Sequence, residues 1–107
     1  MSYVLVRERL AAADLEAHVD YLAEQRPSAA RRFIDAVERA FERLRTMPEI
    51  GASRRYRHPR LTGIRMWSVP GFRRFLIFYR LQGTEIHILR VLYASRNIER
   101  LLLEEEP

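Results

Sequence analysis

The sequence contains no cysteine, which excludes disulfides and thiolate metal sites and is typical of a reducing compartment. It also has no apolar run near the length of about 18 residues that a membrane-spanning helix needs. Its first ten residues include Arg7, Glu8 and Arg9, where a secretory signal would need an apolar block. We therefore expect a cytoplasmic protein that has no contact with membranes.

Histidine is scarce, and the three that occur do not point to a metal. None forms a cluster with acidic residues at the spacing that metal ligands require. His18, in a predicted helix, and His58, in a predicted loop, are expected to be solvated, whereas His87 alternates with apolar strand residues and should be half-buried. The sequence thus predicts no metal and no other cofactor.

Lysine is absent too, and acidic residues are missing from one long stretch. All 19 basic residues are arginine, and the formal net charge is +5. Residues 50–84 hold eight of these arginines and no aspartate or glutamate. A local field of this sign attracts phosphate groups or an acidic protein surface.

The apolar residues that are present predict one α+β domain over residues 1–107. Residues 75–79 and 86–92 are rich in aromatic and β-branched side chains and are separated by Gln82 and Gly83, which indicates a β-hairpin. Both strands are apolar at nearly every position, so both faces should be covered.

Other segments complete the predicted order β-α-α-β-β-β-α, an antiparallel sheet packed against a helical hairpin with a short C-terminal helix. The first strand is expected over residues 3–7 and the first helix over residues 11–24. The second helix begins near Pro27 and ends before Pro48, residues 49–63 form a loop, residues 64–69 form a strand, and the last helix ends near Leu103. An apolar stripe with helical spacing marks the second helix: Ala30, Phe33, Ile34, Val37, Ala40, Phe41 and Leu44.

Two stretches resemble the ParE-type toxins of the RelE/ParE superfamily. Residues 65–72 (RMWSVPGF), followed by residues 75–80 (FLIFYR), are similar to the core motif of that family. Residues 90–97 (RVLYASRN) resemble its closing motif, which usually reads RVLHGARD. The resemblance extends over nearly the whole chain and implies the RelE/ParE-like fold.

The resemblance also implies a function, the toxin of a type II toxin–antitoxin pair of the kind known for plasmid stabilisation. It implies neutralisation by an acidic, ParD-like antitoxin and growth arrest through binding of DNA gyrase, with no direct DNA binding by the toxin alone. Other members of the superfamily instead cut mRNA on the ribosome. A third alternative is a basic nucleic-acid-binding module without toxicity.

The ribonuclease relatives typically carry an arginine where this chain has Leu76, which argues against mRNA cleavage. We therefore expect no catalytic residues. If the chain were a ribonuclease, its candidate residues would be Arg73, Arg74, Arg90 and Tyr93. Tyr93 is a weak candidate because a phenol, with a pKa of about 10, is a poor base at neutral pH.

A toxin that acts by binding needs a surface rather than a catalytic centre. Tryptophan and arginine are the residues most enriched at interface hot spots. The alternatives are core packing for Trp67, and a solvated face or an antitoxin contact for the arginines. The candidates for target binding are Arg54, Arg55, Arg57, Arg60, Trp67, Arg73 and Arg74.

An antitoxin helix would need apolar residues on the outside of the predicted helices. Three consecutive leucines cannot all point inward on one short helix, so at least one should be exposed. The candidates for antitoxin binding are Leu15, Val19, Leu22, Phe33, Val37, Phe41, Leu101, Leu102 and Leu103.

Overall fold

The predicted hairpin forms the centre of the fold. The computed structural model describes residues 3–104, and its elements follow the predicted order with one short strand added. In chain order they are β1 (Val4–Arg7), α1 (Arg9–Gln25), α2 (Pro27–Thr46), β2 (Ala52–Ser53), β3 (Arg65–Val69), β4 (Phe72–Gln82), β5 (Glu85–Tyr93) and α3 (Ile98–Leu102), with a 3₁₀ turn (Pro59–Leu61) before β3.

The five strands form one sheet in the order β1-β5-β4-β3-β2. Strands β2 to β5 are antiparallel, as predicted, whereas β1 pairs with β5 in parallel. The long connection from β1 to β5, which includes the helical hairpin, allows this parallel pairing, because parallel strands need a crossover rather than a tight turn. The sheet is therefore mixed.

Both faces of the hairpin are covered, as its apolar strands predicted. On one face, which we call the helix side, Phe33 and Phe41 of α2 pack with Ile77 and Tyr79 of β4. On the opposite face, which we call the α3 side, a second cluster contains Leu61, Ile64, Phe78 and Leu92 and is covered by residues of α3.

A shift in strand register decides which residues face the helices. Phe78 pairs with Arg90, but Tyr79 pairs with Ile88, so Leu89 has no partner on β4. Regular alternation would put Ile88 and Val91 on opposite faces. The irregularity brings both into the helix-side core, where neither is exposed to solvent.

Helix α2 follows its predicted stripe with one difference. Six of the seven stripe residues are buried, whereas Ile34 is 43% exposed and Ala36 is buried in its place. The buried face is displaced around the helix from the predicted stripe, towards Ala36, which leaves Ile34 outside its opposite edge.

The predicted loop of residues 49–63 contains the two residues of β2 and the 3₁₀ turn. Short elements of this length leave no periodic signal in a sequence. Among residues 3–104, no helix is long and apolar enough to cross a membrane.

Candidate functional surfaces

The arginines between residues 50 and 84 differ in their contacts: two of them support the fold, and others are exposed to solvent. Arg65 Nη1 donates to the Gly51 carbonyl oxygen at 2.6 Å, and Arg80 Nη2 donates to the Arg60 carbonyl oxygen at 2.7 Å. These two side chains hold the loop against the sheet, a role that the sequence did not reveal. Four arginines of that loop are exposed: Arg54, Arg55, Arg57 and Arg60.

A groove of about 450 Å³ lies on the α3 side of the sheet, beside this loop. Two arginines, Arg54 and Arg96, line it together with Tyr56 and Glu99, and Leu76 is one of several apolar side chains in the lining. Arg96 was not predicted as a site residue. Leu76 offers no hydrogen-bond donor for a phosphate, so the groove combines positive charge with an apolar lining.

Trp67 does not share this groove. It packs against the helix-side core, whereas its neighbour Met66 lines the groove on the α3 side. Successive strand residues point to opposite faces. The predicted target-binding residues therefore divide between two faces: Arg54 lines the groove on the α3 side, whereas Trp67 lies on the helix side.

The four residues named for a ribonuclease do not form one site. The Arg74 guanidinium lies over the Tyr93 ring, 5.1 Å from its centroid, and Arg73 is exposed. Tyr93 packs edge-on against Phe75 of the helix-side core at 5.1 Å. Arg90 is three positions from Tyr93 on one strand, so the two side chains point to opposite faces.

Arg90 is bound within the fold. Its Nε and Nη2 donate to Asp14 at 2.7 and 2.8 Å, and its Nη1 donates to the Leu101 carbonyl oxygen at 2.8 Å. The hydrogen bonds that Arg90 donates to the Asp14 carboxylate raise the pKa of Arg90. Asp14 also accepts from the Val91 backbone N–H at 3.0 Å. This cluster joins α1, β5 and α3, and its positions are too far apart in sequence for any local pattern to predict it.

The histidines differ in part from expectation. His18 is half-buried rather than solvated, because its Nε2 donates to the Val91 carbonyl oxygen at 2.7 Å and its ring packs against Phe75 at 4.9 Å. His58 is half-buried as well, and its Nδ1 accepts from the Arg60 backbone N–H at 3.1 Å. His87 is half-buried, as predicted, beside Glu85.

No group of three His, Cys, Asp or Glu side chains within residues 3–104 could hold a metal ion.

The predicted antitoxin-binding residues of α1 meet α2 at a groove of about 290 Å³, which we call the interhelical groove. Leu15 and Val19 are half-buried there, and exposed Ile34 lines it with them. Ile34 belonged to the predicted apolar stripe but was not named for binding. The rim is largely acidic, since it carries Glu16, Asp20 and Glu38, the last paired with Arg7 at 2.8 Å.

Other antitoxin candidates are less accessible. Three residues of α2 are at most 3% exposed because they face the sheet: Phe33, Val37 and Phe41. Phe33 and Val37 line the interhelical groove, but Phe41 does not. Leu22 is half-buried against the helix-side core. The expectation that at least one of three consecutive leucines is exposed is not met, since all three are half-buried on the α3-side cluster: Leu101, Leu102 and Leu103.

Comparison with known proteins identifies a family and a similar solved structure. The family model described as "ParE toxin of type II toxin-antitoxin system, parDE" matches residues 5–98. A solved chain from a chromosomal ParDE TA system of P. aeruginosa is 27% identical, with a TM-score of 0.71. That match covers 88% of this chain and 98% of the solved one. No curated protein matches the sequence.

Proposed function

This chain belongs to the family of ParE toxins of type II toxin–antitoxin systems, and from that premise we propose that it arrests growth by binding DNA gyrase in the cytoplasm. We propose further that a ParD-like antitoxin neutralises it by covering the toxin surface. In this proposal the toxin acts as a ligand of gyrase and performs no bond-breaking step of its own.

The observation that carries the proposal is the lining of the α3-side groove. Leu76 occupies the position at which the ribonuclease relatives typically have an arginine, and Arg54 and Arg96 lie in the same groove. A metal-free ribonuclease needs a cation beside the scissile phosphate, and Leu76 cannot supply one from that position. An apolar lining beside arginines instead suits contact with a protein surface.

The division of Arg90 and Tyr93 supports the same proposal. Arg90 is 8% exposed, and its guanidinium donates hydrogen bonds to the Asp14 carboxylate and to the Leu101 carbonyl oxygen. The guanidinium therefore serves the fold and does not face Tyr93. Of the four residues named for a ribonuclease, only Arg73, Arg74 and Tyr93 would then remain to form an active site.

The interhelical groove is the surface we propose for the antitoxin. Leu15, Val19 and Ile34 present apolar surface there that the toxin itself does not cover fully. Burial of apolar surface is the main favourable term in most protein association, worth about 25 cal/mol per Å². An apolar segment of the antitoxin would fill this groove.

The test is to assay purified toxin against gyrase supercoiling and against mRNA on translating ribosomes. We expect supercoiling to be lost, with cleaved DNA trapped on gyrase and the mRNA intact. A Tyr93→Phe variant removes only a hydroxyl and should inhibit gyrase as well as the parent does. Cleaved mRNA with normal supercoiling, together with loss of that cleavage in Tyr93→Phe, would overturn the proposal in favour of the ribonuclease.

A further inference from the structure

The loop of residues 49–63 is held to the sheet at both ends. Near its start, Arg65 Nη1 donates to the Gly51 carbonyl oxygen at 2.6 Å. Near its end, Arg80 Nε donates to the Thr62 carbonyl oxygen at 3.2 Å. Because these contacts are made within the toxin, the loop has a defined position before any ligand binds, which lowers the entropic cost of binding.

The apolar side chains of this loop point towards the fold. Leu61 is 4% exposed and Tyr56 is half-buried, and both pack in the α3-side cluster. Between residues 52 and 60 no large apolar side chain is exposed. We call the solvent side of the loop, formed by exposed Arg55 and Arg57, its outer side. It carries charge without the apolar centre that is typical of a protein–protein interface.

Three guanidinium groups of the loop are free to meet a ligand. Among residues 3–104, the side chains of Arg54, Arg55 and Arg57 make no hydrogen bond, ion pair or ring contact. Glu99 lines the α3-side groove with Arg54 but is not paired with it. The loop therefore presents positive charge that the described part of the toxin does not neutralise by contact.

We propose that the outer side of the loop binds the phosphate backbone of the DNA that gyrase holds, a partner that rests on the proposed function. A guanidinium group donates paired hydrogen bonds to phosphate oxygens. Contacts of this kind need positive charge in a fixed position but no apolar pocket. Arg55 and Arg57 meet that requirement, and their Cα atoms are no more than about 7 Å apart, so both can reach the same stretch of backbone.

The contact with DNA is secondary to the contact with gyrase. Two arginines neutralise too few phosphates to hold free DNA tightly at physiological salt, which agrees with the expectation that the toxin alone does not bind DNA. When gyrase holds both the toxin and the DNA, the second contact becomes intramolecular and adds to the first. Arg54 lines the α3-side groove instead, so the groove and the outer side offer gyrase and DNA adjacent but separate surfaces.

The test compares the affinity of the toxin for gyrase alone and for gyrase with a bound linear duplex. The chain has no cysteine, so Gln25→Cys, at the exposed end of α1, can carry a single dye for fluorescence anisotropy. We expect the duplex to raise the affinity about tenfold at low salt. The plot of log affinity against log salt concentration should be steeper with the duplex by about 1.8, because two phosphate contacts contribute about 0.9 each.

The matched double variants are Arg55→Gln/Arg57→Gln in the loop and Arg31→Gln/Arg39→Gln on α2. All four residues are exposed, and each variant removes two positive charges. We expect the loop variant to bind gyrase alone as the parent does, and to lose most of the gain from the duplex together with the added slope. The α2 variant should keep both.

Each outcome separates this proposal from the one on which it rests. Equal affinity of the parent with and without the duplex, or a full gain in the loop variant, would overturn the DNA contact and leave the gyrase proposal intact. Weaker binding of the loop variant to gyrase alone, with the gain from the duplex retained, would reassign the outer side to an acidic surface of gyrase. No binding of the parent toxin to gyrase under either condition would overturn the proposed function itself.

Discussion

At the scale of single residues, the contact between Asp14 and Arg90 is a nearly buried ion pair that joins α1 to β5. Both side chains are nearly buried, at 13% and 9% exposure, and the pair is bidentate. Asp14→Ala leaves the Arg90 charge buried without its main partner. We expect a loss of about 3 kcal/mol in the free energy of unfolding, measured by urea denaturation.

Asp20 supplies the control for this prediction, since it lies on the same helix, is exposed and lines only the rim of the interhelical groove. Asp20→Ala should change the free energy of unfolding by less than about 0.5 kcal/mol. Equal losses in the two variants would mean that helix α1, and not the buried pair, is the source of the effect.

The buried hydroxyl of Tyr79 makes stability depend on pH. It donates to the Pro48 carbonyl oxygen and accepts from the Gly51 N–H, both at 2.8 Å. Burial raises the pKa of Tyr79 above its ordinary value of 10.0, against a smaller opposing effect of the Gly51 hydrogen bond. Because the pKa is higher in the folded state, the contribution is complete below pH 10.0 and is lost as pH rises through the folded-state pKa.

Unfolding midpoints between pH 8 and 11 would check this expectation, with the parent falling at the alkaline end. Tyr79→Phe should be less stable at neutral pH by about 1–3 kcal/mol, since the Gly51 N–H loses its acceptor. It should also lose the part of the alkaline slope that belongs to Tyr79. Parallel curves for the two proteins would exclude Tyr79 as the titrating group.

At the scale of elements, a substitution in the interhelical groove should weaken antitoxin binding with little effect on the stability of the fold. Ile34 is 43% exposed in that groove, and Met47 is 47% exposed outside it. Both Ile34→Gln and Met47→Gln should change the free energy of unfolding by less than about 1 kcal/mol. Only Ile34→Gln should weaken antitoxin binding, by about 1 kcal/mol or more, as measured by calorimetric titration.

At the scale of the whole molecule, the uneven charge predicts a salt-dependent action on the target. Residues 50–84 contribute eight arginines without an acid. We expect the toxin concentration that half-inhibits supercoiling to rise several-fold between 50 and 200 mM salt, about the range over which surface charge is increasingly screened. The double variant Arg54→Gln/Arg57→Gln should reduce both potency and salt dependence.

The matched double variant Arg26→Gln/Arg31→Gln removes the same charge from the helix side. Neither of its residues lines any of the grooves described above. Its potency should stay close to that of the parent. Equal effects of the two double variants would show that net charge, rather than the loop arginines, attracts the target.

The sequence predicted the elements because their signals are local. The stripe of α2 and the apolar strands of the hairpin repeat over many residues, and they were correct apart from Ile34. The parallel pairing of β1 and the register shift at Leu89 could not be predicted, because each depends on the final neighbours of a strand.

The candidate surfaces were less predictable because they too depend on which strands and helices become neighbours in the folded chain. Exposure of the loop arginines follows from composition, but the division between Arg54 and Trp67 follows from strand alternation within an assembled sheet. The partner of Arg90 is Asp14, which is 76 positions away. No spacing rule connects residues so far apart, so the fold had to be known before the role of Arg90 could be.

The place of β1 in the sheet also concerns the order in which the protein is made. Val4 of β1 pairs with Glu85 of β5, which lies 81 positions later in the chain and is therefore synthesised later. A growing chain therefore holds its first strand unpaired until almost all of the others have been synthesised. Ribosome-bound chains of increasing length should gain protease resistance only once β5 has emerged, and resistance in shorter chains would contradict this. The cell thus has an interval between the synthesis of β1 and the appearance of a folded toxin.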